Sequence, residues 1–128
     1  MQKKYHHETS THLTEQQGQI FAEKWLDAWN SQDIERLLNY YADDFFMHSP
    51  TVNEFIGKSE GLLMNKIDLR IFYEKIFKEI PDFKFKLMTM SIGIKNLTIY
   101  YFNKNCGLFI DVFEFDSGLK ISRSYAHY

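Results

Sequence analysis

A chain of 128 residues with 45% hydrophobic content is sized for one compact domain with its own core. A formal charge of −2 and a pI near 6.2 give no basic field for a polyphosphate partner, which argues against nucleic-acid binding. No segment approaches the roughly 18 apolar residues of a membrane span, and the single cysteine allows no intrachain disulfide, so a soluble cytoplasmic protein is expected.

Residues 1–13 read as a flexible polar leader and 14–128 as one domain. The leader lacks the apolar core of a signal peptide, and its His6, His7 and His12 have no fixed geometry with which to hold a metal. Thr14 and Gln17 have capping-box spacing, and Phe21, Trp25, Ala28 and Trp29 then recur at helical intervals as far as Asn30. A shorter helix starts at Asp33 and runs through Ile34, Leu37 and Leu38. The strand-like FFMHSP follows and ends at Pro50. From Asn53 to Lys66 the pattern is weak and reads as loop with at most a short turn. Leu69, Phe72, Tyr73, Ile76, Phe77 and Ile80 then form the apolar stripe of a longer helix that Pro81 ends.

Four strands close the chain, within FKFKLMTMSI, LTIYYF, GLFIDVFEF and LKISRSYAHY, in a predicted antiparallel meander. Helices grouped first and strands last give an α+β fold, with helices packed on one face of a curved sheet. Cys106, between Asn105 and Gly107, sits in a turn with no His beside it to activate the thiol and reads as inert.

Strand alternation puts Asp111 on one face with Phe109, Phe113 and Phe115, and Leu108, Ile110 and Val112 on the other. Both faces are apolar, which implies helices over one and a second copy of the chain over the other, a homodimer. An acid among phenylalanines is expected to lose its charge or to find donors. It is then either a neutral acid facing a ligand, or a structural carboxyl satisfied by backbone N–H groups or a neighbouring Tyr, or an exposed carboxylate on a less covered face.

With DIERLLNYYADDFFMHSP early and FIDVFEFDSGLKI late, the chain resembles the nuclear transport factor two superfamily, and within it ketosteroid isomerase and the SnoaL-like polyketide cyclases. That resemblance implies a cone-shaped, mostly antiparallel sheet wrapped around the N-terminal helices, enclosing an apolar pocket. It places Asp111 on the isomerase's protonated oxyanion-hole acid, and Tyr41 and Tyr73 on two tyrosines that support the hole. Trp25 falls where the isomerase has its oxyanion tyrosine, and Ser49 where it has its general base. An indole N–H donates but cannot act as an acid, and a serine lacks useful basicity at neutral pH, so ketosteroid isomerase activity itself is not expected.

His48 is one residue from the base position and therefore points to the opposite face. On the last strand the pocket face, Ser124, Ala126 and Tyr128, carries no acid, while His127 shares the other face with Arg123 and Tyr125. The Asp43-Asp44 pair, following a helix at the mouth of a strand, reads as solvated or capping. The expected pocket is lined by Trp25, Trp29, Tyr41, Phe45, Met47, Ser49, Tyr73, Phe109, Asp111, Phe113, Ser124 and Tyr128. It would hold a small apolar or aromatic ligand, with Asp111 as the catalytic acid of a cofactor-independent isomerase or cyclase. The alternative is a non-catalytic binding or dimerisation module whose aromatics fill the cone. No phosphate-binding loop or metal-ligand spacing points to a cofactor.

Overall fold

A computed structural model describes residues 13–127. The elements run α1 (Glu15–Asn30), α2 (Ile34–Asn39), β1 (Tyr41–His48), α3 (Pro50–Ile56), β2 (Leu62–Leu63), α4 (Lys66–Glu79), β3 (Lys86–Ile92), β4 (Asn96–Asn103), β5 (Gly107–Phe115) and β6 (Ile121–His127). The six strands form one curved, unclosed sheet in the order β2-β1-β6-β5-β4-β3. Every pair is antiparallel except β1 with β6. The α+β architecture expected from the sequence is thus the one observed.

The local signals explain most boundaries. Thr14 and Gln17 form the capping box that starts α1. Leu13, at the end of the segment read as leader, is buried, and its N–H donates to the Ile94 carbonyl. Asp33 caps α2, and Asn65 caps α4 by accepting the Asp68 N–H. The stripe Leu69, Phe72, Tyr73, Ile76 and Phe77 is the buried face of α4, facing the core as its spacing requires.

The weak stretch after Pro50 is where the structure adds most. Residues 50–56 form about two turns of helix, with Pro50 at its first position and Gly57 in the left-handed conformation at its end. Gly61 also has a positive φ, and a Cβ there would lie 2.7 Å from the Ser49 carbonyl oxygen. Only glycine allows this approach, which lets the Ser49 N–H donate to the Gly61 carbonyl. The β1 register shifts between Tyr41 and Phe46, a bulge that puts Asp43 and Asp44 in solvent and restores Phe45 and Met47 to the core side.

Along β5 burial alternates without a break: Phe109, Asp111, Phe113 and Phe115 are buried and face the helices, while Ile110, Val112 and Glu114 are half-buried on the outer face. On that outer face Leu108 and Phe102, paired across β4 and β5, are 48% and 40% exposed.

Candidate functional site

Trp25 and Trp29 lie one helical turn apart on α1, so both indoles are on its buried face. Their rings meet edge to face with centroids 5.9 Å apart. Around Trp29 stand Tyr73 and Phe77 from α4, and Phe83 and Phe85 from the segment entering β3, all in edge-to-face contact. Two asparagines fix that segment. Asn30 both donates to the Phe85 carbonyl and accepts its N–H, and Asn103 donates to the Lys84 carbonyl. Phe83 and Phe85 are thereby held as walls without belonging to a strand.

Between these helices and the concave face of the sheet is a cavity of about 40 Å³. Its lining residues are aromatic and aliphatic apart from Ser49, Thr51 and Asp111, with Tyr73, Tyr101 and the two tryptophans adding polar atoms to otherwise apolar rings. It contains no Lys, Arg or His.

Asp111 sits at mid-strand on β5, between Ile99 on β4 and Ala126 on β6, and is 7% exposed. The Tyr101 hydroxyl donates to its Oδ1 at 2.6 Å. Burial pushes the carboxyl up from its ordinary value to about 7, against the opposing pull of that hydrogen bond. With Oδ1 accepting from Tyr101, Oδ2 is the oxygen left to carry the acid proton. A second polar cluster adjoins it. The Tyr41 and Tyr73 hydroxyls share a hydrogen bond of 3.2 Å. Burial drives the Tyr41 phenol far above its ordinary value; the Tyr73 hydrogen bond opposes that rise and the Asp111 charge adds to it. The Trp25 indole and Ser124 hydroxyl lie close enough to the Tyr41 oxygen to favour its ionised form, yet the indole N–H does not reach hydrogen-bond geometry.

Of the residues expected from sequence, Trp25, Trp29, Met47, Ser49, Tyr73, Phe109 and Asp111 border the cavity together. Tyr41, Phe45, Phe113 and Ser124 are buried but are not part of its lining. Their side chains fill the concave face instead: Phe113 packs on Trp25 and Phe21, and Tyr41 packs on Phe45. Tyr128 and the leader histidines His6, His7 and His12 lie outside the described residues.

Sequence reasoning missed Tyr101, the partner of Asp111. Pairing β4 with β5 through the turn after Asn103 sets Tyr101 opposite Phe109 and diagonal to Asp111, so the hairpin register carried that signal. It also missed Phe55 and Thr51, which lie in the helix the sequence left as loop, and Phe83 and Phe85, which only the two asparagine clamps position.

His48 is exposed on the outer face, its ring stacked on Tyr125, so the alternation that directs it away from the cavity holds. Asp43 is fully exposed and paired with Lys66. The Ser49 hydroxyl shares a 2.7 Å hydrogen bond with Thr51. The site therefore presents one strong hydrogen-bond donor, the Asp111 acid, at an apolar cavity whose lining offers no imidazole and no second carboxylate.

Comparison with known proteins gives the setting. The SnoaL-like domain model matches residues 22–97. No curated protein matches the chain significantly. Among solved structures, a SnoaL-like protein of unknown function from Burkholderia thailandensis is 30% identical, with 91% of this chain and 98% of that one covered at a TM-score of 0.85. SalBIII, an epoxide hydrolase/cyclase-like enzyme in pyran ring formation in the polyether salinomycin, is 13% identical at a TM-score of 0.65, with 88% and 90% covered. The latter likeness is one of fold alone.

Proposed function

The chain belongs to the SnoaL-like domain family, and from that premise we propose that it binds a small apolar or aromatic molecule through a carbonyl or hydroxyl oxygen in the cavity beside Asp111. The observation that carries this reading is the position of Asp111: a buried acid at an aromatic cavity, with Tyr101 fixing one oxygen and the other left to donate. A neutral carboxyl near pH 7 can hydrogen-bond a carbonyl oxygen and stabilise negative charge that develops there. This suits cofactor-independent chemistry of isomerase or cyclase type. The lining supplies an acid without a paired base, because Ser49 stands at the base position and its hydroxyl is tied to Thr51. Activation of an electrophilic oxygen is therefore the step that these residues support, rather than the acid and base pair of a ketosteroid isomerase.

The cavity volume is on the scale of a few waters, so a ligand of six or more heavy atoms has to displace part of the wall. Phe55, half-buried on the short α3 at the rim, is the ring that gives way in this reading. The same small volume favours a second reading, a filled and non-catalytic module in which Asp111 is structural. Cyclohexanone separates the two. Binding followed by tryptophan fluorescence, present near about pH 5.5, weakened near about pH 8.5, lost in Asp111→Ala and freed of its pH dependence in Asp111→Asn, whose amide still donates, supports the acid reading. No binding at either pH favours the filled module.

The homodimer belongs to this proposal as well. The outer sheet face, with Leu108 and Phe102 exposed beside half-buried Ile110, Val112 and Tyr125, is covered by a second copy.

A further inference from the structure

Buried polar groups are almost always partnered, so exceptions point to missing partners. Among the described residues, the side-chain polar atoms that are buried without one are two: Nε1 of Trp25 and Nε1 of Trp29. Both indoles border the same cavity, 2% and 8% exposed, and they are the only tryptophans in the chain. Leaving a donor unpaired in an apolar interior costs on the order of 1–3 kcal/mol, and two such costs at one cavity mark it as unfinished without its occupant.

We infer that the ligand of this cavity is an uncharged molecule carrying at least two hydrogen-bond acceptor oxygens, which take the indole N–H groups of Trp25 and Trp29 while Asp111 donates to one of them. This rests on the cavity reading above and adds the ligand's chemical class. The unspent groups are donors: the Ser49 and Thr51 hydroxyls bond to each other, and the Tyr101 hydroxyl is given to Asp111. An acceptor-rich occupant is complementary to such a wall. An anion is not, because no Lys, Arg or His lines the cavity to pair with it. The centroids of the two indoles are 5.9 Å apart, so one small ring can lie against both.

The test compares cyclohexanone with the diketone that has a second carbonyl directly across the same ring, at a pH where Asp111 is protonated. Because the chain has two tryptophans, a ¹⁵N-labelled sample gives two indole N–H signals, each reporting its own hydrogen bond. The diketone is expected to move both signals downfield and to bind about five- to tenfold more tightly than cyclohexanone. In Trp29→Phe that advantage disappears, the diketone then binding the variant no more tightly than cyclohexanone does. Equal affinity of the two ketones for the wild-type protein, with cyclohexanone binding lost in Asp111→Ala, overturns the two-acceptor inference and leaves the acid reading standing. If neither ketone moves either indole signal, both are overturned. The wild-type comparison alone decides the matter should Trp29→Phe fail to fold.

Discussion

Asp111 matters at the scale of single residues because its proton equilibrium is linked to the stability of the fold. Its folded-state value, about 7, lies above the ordinary carboxyl range, so the folded protein holds a proton that the unfolded chain releases between about pH 4 and 7. The stability associated with that proton is complete below the unfolded value and lost as pH rises through 7. At the limit this amounts to roughly 4 kcal/mol. Asp111→Asn, which keeps an oxygen for Tyr101 and never ionises, is expected to be more stable than the parent above about pH 7, with the difference vanishing toward about pH 4. Urea denaturation across that range checks it, and parallel pH curves for the two proteins would count against a buried acid. Tyr101→Phe acts in the opposite sense. Removing the donor that favours the charged form raises the Asp111 value further and extends cyclohexanone binding to higher pH. An unchanged binding profile would mean that this hydrogen bond does not tune the acid.

The elements divide into those the chain announces and those that tertiary contacts create. The capping box of α1, the stripe of α4 and the alternation of β5 are local patterns, and each forms as the sequence leads one to expect. α3 is different. Its signals were a proline at the start and a glycine at the end, too few for a periodicity argument over seven residues, and its position depends on the contact between Gly61 and the Ser49 backbone. Gly61→Ala is expected to cost about 1–3 kcal/mol, because it combines a positive φ with a Cβ driven into the Ser49 carbonyl. Chemical denaturation measures this, and a change under about 0.5 kcal/mol would show that the 57–61 turn relaxes freely. The cavity was legible in the same uneven way. Trp25, Trp29 and Asp111 follow from helical and strand periods, whereas Phe83 and Phe85 depend on side-chain clamps from Asn30 and Asn103, far away in sequence.

Taken whole, the molecule is a curved sheet with helices over its concave side and an apolar strip on the other. The strip leads to an expected mass of twice the chain in light scattering, and Leu108→Lys, which places a charge on it, should halve that mass without unfolding the domain. A monomeric parent protein would remove the second copy from the account. The concave side carries the central claim, that a carboxyl which keeps its proton up to about pH 7 faces the cavity. The most direct measurement is the carbon-13 NMR titration of the Asp111 side-chain carboxyl, assigned by its absence in Asp111→Asn. The account requires a midpoint near 7, and a midpoint in the ordinary range near about 4 would contradict it.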